Sequence, residues 1–171
     1  MNWPVVSGVI IVVLALLAVW LITRARRVDR LHRQVKQAEV TVNRHLTARR
    51  AILLEAESTV RQIDEHAANS LRKLLNTQAP GALGHSATTE SAITRWIRDS
   101  YLPRFANDDP RLHTLTKELQ TNAFELGAAR RFYNQQVAQT QRLRTSPDVL
   151  IFHLAGHAKM PQTFDFDDRI E

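Results

Sequence analysis

The amino-acid sequence predicts an all-α protein in which a single N-terminal transmembrane helix continues into an elongated antiparallel helical bundle. Three observations predict this architecture: an uncharged apolar run near the N-terminus, apolar residues that recur at steps of three and four, and few Gly or Pro residues between them. Steps of three and four place side chains on one face of a helix, whereas strands require alternation. With 44% hydrophobic residues, the chain is not disordered as a whole.

The predicted membrane helix covers residues 5–22, which read VVSGVIIVVLALLAVWLI without a charge. As a helix this segment extends about 27 Å, close to the roughly 30 Å hydrocarbon core of a bilayer. Trp3 and Trp20 lie near its two ends, and indole side chains favour the headgroup region. A cleaved signal peptide is the alternative, but such peptides begin with basic residues, whereas here the basic residues follow the apolar run.

The charges after the apolar run predict its orientation. Arginine and lysine resist translocation, so the basic side of the segment is expected to be cytoplasmic. We therefore expect a single-pass protein of the cell membrane, with residues 1–4 outside and residues 24–171 inside. Cationic side chains at a membrane surface attract anionic headgroups, so the lipid bilayer is the first predicted partner. The predicted membrane-interface residues are Trp3, Trp20, Arg24, Arg26, Arg27 and Arg30.

The predicted bundle covers residues 24–147, because an apolar stripe with helical spacing runs through its first half. No Gly or Pro occurs in residues 9–79, so the stripe fits one long helix, or two nearly collinear helices with a break near residues 49–51. Arg49 is the one polar residue in it. A lone helix cannot bury such a stripe, so packing partners are expected. The stripe consists of Val28, Leu31, Val35, Ala38, Val42, Leu46, Leu53, Ala56, Val60, Ile63, Ala67, Leu71 and Leu74.

Pro and Gly mark the next boundaries. Residues 79–87 contain one Pro and two Gly and are predicted to form a loop. A short helix is predicted over residues 89–102, with Ile93 and Trp96 facing inward. Pro103 is expected to end that helix, because proline cannot continue it.

The last long helix is predicted over residues 110–144. Residues 107–110 read Asn-Asp-Asp-Pro, with Asp109 as the N-cap and the proline at the first helical position. Gly127 in the helix interior suggests a close helix crossing, since glycine costs about 1 kcal/mol there relative to alanine. Ser146-Pro147 ends the helix, and residues 148–171 are predicted to be a separate tail with an apolar patch and an acidic end. The inner stripe comprises Leu112, Leu115, Leu119, Ala123, Leu126, Ala129, Tyr133 and Val137.

A distinctive block in this helix, residues 128–134, reads Ala-Ala-Arg-Arg-Phe-Tyr-Asn, with Leu119-Gln120 before it and Pro147 after it. This pattern resembles the LemA family, whose last bundle helix carries a similar Ala-Arg-Arg-Phe/Tyr-Tyr-Asn stretch. The family ends in a short apolar segment with a Gly and a final Phe, to which residues 150–156 and Phe164 or Phe166 are similar.

The N-terminal part resembles the same family, because the apolar anchor is followed by Arg24-Ala25-Arg26-Arg27-Val28 and later by the pair Arg49-Arg50. The family usually has Leu-Ile-Pro-Asn after its basic pair, whereas residues 51–54 here read Ala-Ile-Leu-Leu. The resemblance implies a bacterial, membrane-anchored helical bundle without an assigned chemical activity. Some relatives take part in forming membrane organelles in magnetic bacteria, and others are encoded near membrane proteases.

The sequence contains no catalytic motif. It has no cysteine, which excludes disulfides, thiol catalysis and cysteine-ligated metals. No glycine-rich phosphate loop, nucleophile elbow or kinase signature occurs. Glu55, Glu57, Asp64 and Glu65 are predicted to lie on solvated helix faces. We therefore expect no enzyme activity and no cofactor.

The histidines and the basic residues raise the questions of a metal site and of a nucleic-acid site, and neither is expected. His153 and His157 are four residues apart and would share a helix face, but no HExxH motif accompanies them, and the expectation is no metal. The net charge of +6 raises the question of nucleic acid, but the basic cluster adjoins the apolar run and aromatic residues are few. Membrane topology accounts for that cluster, so no nucleic-acid partner is expected.

The block of residues 128–134 has two interpretations. Tyr133 and Phe132 can pack in the core while Arg130 forms ion pairs. Alternatively, arginine and tyrosine act as anchors of a partner-binding surface. The candidate surface consists of Arg130, Arg131, Tyr133 and Asn134.

Three functional hypotheses follow. The first is a noncatalytic scaffold or adaptor at the cytoplasmic membrane face, which binds a protein partner or self-associates through its helices. The second is a regulator or sensor in an envelope-stress or membrane-protease pathway. The third is a bundle that binds a metal or another ligand.

Overall fold

The computed structural model describes residues 3–77, 87–106, 109–156 and 158–170, without the side chains of residues 4 and 5. Every regular element in those ranges is a helix, which confirms the predicted all-α class. The predicted loop at residues 79–87 lies outside the described residues, apart from residue 87. The elements are α1 (Trp3–Ile63), α2 (Glu65–Asn76), α3 (Ala87–Trp96), a π-helical turn (Ile97–Tyr101), α4 (Leu102–Arg104), α5 (Pro110–Arg144) and α6 (Pro147–Ile151).

The N-terminal part of α1 exposes its apolar side chains. Its most apolar 18-residue window has a mean hydropathy of 2.8, and none of that window is buried. By length and composition, α1 is the one helix among the described residues that could cross a membrane. The core helix of a soluble protein would be mostly buried, and this segment is not.

Farther along α1, the predicted apolar stripe is buried. The helix passes through residues 49–51 without interruption, so the optional break does not occur there, and Arg49 continues the stripe with 2% exposure. Ile63, at the end of the helix, was wrongly assigned to the stripe and is 49% exposed. The buried members on α1 are Val28, Val35, Ala38, Val42, Leu46, Leu53, Ala56 and Val60.

The break in the long stripe occurs at Asp64. This residue has an extended backbone (φ −146°, ψ 98°), and its side chain accepts a 2.9 Å hydrogen bond from the backbone N–H of Ala67. Aspartate stabilises a helix start in this way because it satisfies an N–H that has no partner within the helix. The Ala67 hydrogen bond, together with the ion pair to Arg104, lowers the pKa of the Asp64 carboxyl.

The predicted short helix over residues 89–102 is observed as α3, the π-helical turn and α4. The backbone N–H of Leu102 donates to the carbonyl of Ile97, five residues earlier, which widens the helix at this point. Pro103 does not end the helix as predicted. It lies in the first turn of α4, where the missing N–H is tolerated, and the helix continues to Arg104.

Helix α5 has the predicted bounds, Pro110–Arg144. Asp109 acts as the predicted cap, since its side chain accepts a 2.7 Å hydrogen bond from the N–H of Arg111 and its carbonyl accepts from the N–H of His113. Residues 107–108 of the predicted start signal lie outside the described residues. Most of the inner stripe is buried, while Ala123 and Ala129 are partly exposed.

The chain divides into two compact units. The first unit comprises Met1–Lys36 and Gln136–Pro161, and the second comprises Gln37–Gln135 and Gln162–Glu171. Each unit combines stretches that are distant in the sequence, and the tail predicted over residues 148–171 contributes to both.

The second unit has a core to which α1, α2, α3, the π-helical turn and α5 all contribute. Two aromatic side chains in this core have their polar atoms paired: the Tyr101 hydroxyl donates to the carbonyl of Leu112, and the indole N–H of Trp96 donates to Ser70 Oγ. Ile170, close to the C-terminus, belongs to the same cluster. The stretch around Ile170 is therefore part of the folded unit.

Candidate functional site: a cradle for the C-terminal segment

The predicted partner surface on α5 contacts the chain's own C-terminal segment, residues 162–170. This segment has no regular secondary structure, and Phe164, Phe166 and Ile170 in it are buried. Both the segment and the side chains that hold it belong to the second unit. We call those side chains the cradle: Ser91, Arg98, Arg130, Tyr133 and Asn134.

Asn134 binds the backbone of the segment at Phe164. Its Oδ1 accepts a 2.9 Å hydrogen bond from the Phe164 N–H, and its Nδ2 donates to the Phe164 carbonyl at 3.2 Å. The same Nδ2 donates to Asp165 Oδ1 at 2.8 Å. A side-chain amide that binds both backbone groups of one residue fixes the register of an extended chain.

Tyr133 adds a contact two residues earlier in the segment. Its hydroxyl donates a 2.8 Å hydrogen bond to the carbonyl of Gln162, while its ring is buried. Burial, and secondarily the charge of Glu39, raises the pKa of the Tyr133 hydroxyl, which keeps it protonated as a donor. The prediction that Tyr133 packs in the core is confirmed, whereas Phe132 is 53% exposed and does not.

Arg130 binds two carboxylates of the segment. Its Nε donates to Asp168 Oδ2 at 3.0 Å, and its Nη1 donates to Asp165 Oδ1 at 3.1 Å. Its guanidinium carbon also lies 5.6 Å from the centroid of the Phe166 ring, within the range of a cation–π contact. The predicted ion pairing of Arg130 is therefore confirmed, with partners in the C-terminal segment.

The opposite side of the cradle comes from α3 and the π-helical turn. Arg98 Nη1 donates to Asp167 Oδ2 at 3.2 Å, and the Asp167 N–H donates to Ser91 Oγ at 3.1 Å. The pKa of the Asp167 carboxyl is lowered, chiefly by the backbone N–H of Arg169 and also by Arg98. Hydrogen bonds to Asp99 and Asp167 raise the pKa of Arg98 in turn.

Apolar burial contributes more than the exposed ion pairs to this arrangement. Each exposed or half-exposed ion pair is worth about 0–1 kcal/mol. Burial of one phenylalanine side chain is worth about 1.5–3 kcal/mol. Phe164 and Phe166 therefore stabilise the arrangement more than the exposed pairs of Asp165 and Asp167 do, while Asn134 and Arg130 decide which residues of the segment occupy which place.

Gly127 faces the segment and not another helix, which corrects the predicted helix crossing. A Cβ atom at this position would lie 3.0 Å from Asp168 Oδ2 and 3.4 Å from Arg131 Nη1. The absence of a side chain thus leaves room for the Asp168 carboxylate beside α5.

Arg131, the remaining residue of the predicted surface, is exposed. It lines a cavity of about 410 Å³, together with Phe124, Asp168 and Arg169. The exposed aromatic ring of Phe124 and the Arg131 guanidinium make this the part of the surface that remains open to another molecule while the segment is bound. Binding of a partner at residues 130–134 stays a prediction.

A group of buried charged side chains surrounds Arg49. Its Nη2 donates to the carbonyl of Glu90 at 3.0 Å and to Thr94 Oγ1 at 2.9 Å. Burial lowers the pKa of Arg49 to about 10, against the opposing effect of Glu90. Arg50 donates to Glu90 Oε1 at 2.9 Å and to the carbonyl of Leu75. These contacts connect α1 to α2 and α3 and so hold the second unit together.

The predicted membrane-interface residues belong to the first unit. Trp3 and Trp20 are 73% and 42% exposed. Arg24 Nε donates to Asp148 Oδ2 at 2.6 Å, and its guanidinium carbon lies 5.9 Å from the centroid of the Trp20 ring. The sequence does not indicate that Asp148 pairs with Arg24, because the two residues are 124 positions apart and no local pattern connects them. Arg26, Arg27 and Arg30 are exposed.

Of the two histidines considered as metal ligands, only His153 lies among the described residues, and it is not in a helix. His153 lies in the turn after α6 with φ of 50°, and His157 lies outside the described residues. Among the residues that the structure does describe, no group of three His, Asp or Glu side chains could hold a metal ion.

Comparison with known proteins adds no family assignment. No family model, curated protein or solved structure matches the chain. The similarity to the LemA family therefore stays a prediction from the residues that carry it.

Proposed function

We propose that this protein is a noncatalytic, membrane-anchored scaffold or adaptor of the LemA type at the cytoplasmic face of the cell membrane. The observation that carries the proposal is the N-terminal part of α1, which is uncharged, strongly apolar and wholly unburied. Soluble monomers rarely expose continuous apolar patches beyond a few hundred Å². A bilayer is the environment in which such a helix is stable.

The orientation and the bundle belong to the same proposal. The exposed Arg26, Arg27 and Arg30 favour a cytoplasmic location for everything after residue 24. The core shared by α1, α2, α3 and α5 supports an antiparallel helical bundle in the second unit. The aromatic ring of Trp20 would then lie at the cytoplasmic headgroup level.

The cradle supports the adaptor role. It contains elements of a peptide-recognition site: an asparagine that binds backbone and arginines that bind carboxylates. The cradle side chains position and bind a peptide segment. The polar side chains buried around Arg49 instead connect the helices of the second unit. The partner surface we propose adjoins the cradle on α5 and is formed by the exposed residues Phe124, Arg131 and Phe132.

The anchor and its direction can be tested with single cysteines, because the natural chain has none. In intact cells, a membrane-impermeant maleimide is expected to label Asn2→Cys, and to label Lys117→Cys only after the membrane is permeabilised. Equal labelling of Lys117→Cys before and after permeabilisation would contradict the orientation. Release of the chain from membranes by alkaline carbonate would contradict the anchor.

The adaptor role can be tested by photo-crosslinking in cells. A photoreactive residue at position 132 is expected to give adducts with a partner protein or with a second copy of the chain. The matched control is position 117, which is exposed on the same helix. Adducts at position 132 that do not exceed those at position 117 would count against the proposed surface.

A further inference from the structure

The short helix α6 has one buried face and one uncovered face. Val149 is 1% exposed, whereas Leu150, Ile151 and Phe152 are 58%, 69% and 44% exposed. Three consecutive apolar side chains in water are unfavourable, and within the described residues nothing covers them. The patch therefore calls for an environment outside the chain, and its neighbours indicate which one.

Two contacts connect α6 to the end of the apolar part of α1. Asp148 pairs with Arg24 at 2.6 Å, and the ring of Phe152 meets the ring of Trp20 edge-on with centroids 6.3 Å apart. Trp20 and Arg24 are four residues apart, so they are successive positions on one face of α1. The exposed patch thus lies beside the tryptophan that marks the end of the apolar run.

The end of α6 is fixed by its own hydrogen bonds. The N–H of Leu154 donates to the carbonyl of Val149, and the N–H of His153 donates to the carbonyl of Leu150. With His153 in the left-handed conformation (φ 50°), this is a Schellman motif. The backbone polar groups of the turn are satisfied internally, which suits a segment at the edge of a bilayer.

A cavity with basic side chains shares Arg24 with the contacts that connect α6 to α1. Arg24, Arg27 and Arg142 line a cavity of about 350 Å³ that also contains Ser146. Arg27 and Arg142 are exposed and form no ion pair with any residue that the structure describes. Exposed cations in the same unit as an apolar patch match the charge pattern of a leaflet with anionic headgroups.

We infer that α6 and Phe152 are a second membrane contact, with Leu150, Ile151 and Phe152 inserted at the headgroup boundary of the leaflet that surrounds Trp20. The inference rests on the proposed function, because it requires that α1 crosses the bilayer. It adds that the polypeptide returns to the membrane after α5. The anchor thus consists of one spanning helix and one interfacial turn.

Spin labels on the full-length chain test this inference. Three single-cysteine variants are reconstituted in phosphatidylcholine vesicles that contain phosphatidylglycerol: Leu14→Cys, Ile151→Cys and Phe132→Cys, all at exposed apolar positions. Collision with oxygen reports contact with lipid, and collision with a water-soluble nickel chelate reports contact with water. We expect position 14 to be deep in the bilayer, position 151 to be shallow but protected from nickel, and position 132 to be accessible to nickel.

Each other outcome has a distinct meaning. If position 151 is as accessible to nickel as position 132 while position 14 is deep, the second contact is wrong and the anchor stands. If position 14 is also accessible to nickel, both the anchor and this inference fail. If position 151 is protected from oxygen and nickel alike, a protein surface covers the patch, which overturns the lipid assignment.

A second set of variants tests the geometry itself. Asp148→Ala combined with Phe152→Ala removes both contacts to α1, and the label at position 151 is then expected to lose its protection from nickel. Asp29→Ala is the matched control, since it removes an exposed carboxylate of the same unit. An unchanged depth at position 151 in the double variant would overturn the argument from Trp20 and Arg24.

Discussion

Two short aromatic segments follow α5, and they are similar in composition but opposite in exposure. Residues 150–152 expose Leu, Ile and Phe, whereas Phe164, Phe166 and Ile170 are buried. The difference lies in how each backbone is satisfied. The first segment closes its hydrogen bonds within a helical turn, while Phe164 uses both of its backbone groups on Asn134. A self-contained turn leaves its side chains free for another environment, and an open backbone requires a partner.

The largest effect should come from exchanging phenylalanine for alanine in the two segments. In detergent, Phe164→Ala is expected to lower the free energy of unfolding by about 3 kcal/mol, because a buried ring leaves a cavity. Phe152→Ala should cost only about 1 kcal/mol, the value of its edge contact with Trp20. Denaturant titration of both variants measures this, and equal losses would remove the distinction between the segments.

Asn134→Ala should have the next largest effect. It removes a donor and an acceptor from the backbone of Phe164, and each such loss costs about 1–3 kcal/mol when the group stays buried. Amide exchange in the C-terminal segment is expected to accelerate, while exchange in α6 is unchanged. Gln135→Ala, at the exposed neighbouring position, is the control. If both variants exchange alike, Asn134 does not hold the segment.

Acid should loosen both segments together. The pKa of Asp148 is lowered, chiefly by Ser146 and then by Arg24, and that of Asp167 is lowered chiefly by the backbone of Arg169. A lowered carboxyl pKa stabilises the fold above the ordinary value of about 3.9 and loses that contribution as pH falls through the lowered value. The contribution of these two carboxylates to the free energy of unfolding should therefore be constant from about pH 8 to pH 5. It should decrease as the pH falls below about 4.

Unfolding at a series of pH values measures this effect. Asp148→Asn and Asp167→Asn should each flatten the acid limb of the curve. A loss of stability between neutral pH and pH 5 that either variant abolishes would contradict the assignment.

The smallest effect is expected at His153. Its left-handed backbone (φ 50°) costs a residue with a side chain about 1 kcal/mol relative to glycine. His153→Gly should therefore raise the stability of the first unit by up to about 1 kcal/mol in thermal unfolding. His113→Gly, in the first turn of α5, should lower stability, because glycine is the poorer helix former where the backbone is right-handed. A destabilising His153→Gly would mean that the imidazole contributes more than the turn.

The long periodic elements could be predicted from the sequence. The bounds of α5 and the burial of the stripe on α1 follow from many residues that agree with one another. The end of α1 could not be predicted as well, because Asp64 differs from other acidic residues on the helix only in being able to cap α2. Only part of the cradle could be predicted. The sequence indicated Arg130, Tyr133 and Asn134 as a binding surface, but no local pattern indicated that their partners lie 29 to 38 residues later in the chain.

By itself, the sequence determined the all-helical class, the apolar N-terminal segment and the basic residues after it, because these depend on periodicity, length and charge along the chain. The tertiary structure alone decided that Gly127 accommodates Asp168, that Arg49 is buried beside Glu90, and that α6 pairs with Arg24. It also decided that Phe164 is covered and Ile151 is not. The physical reason is that hydrophobicity specifies a need for burial, whereas the site of burial depends on which distant backbone and side-chain groups remain to be satisfied.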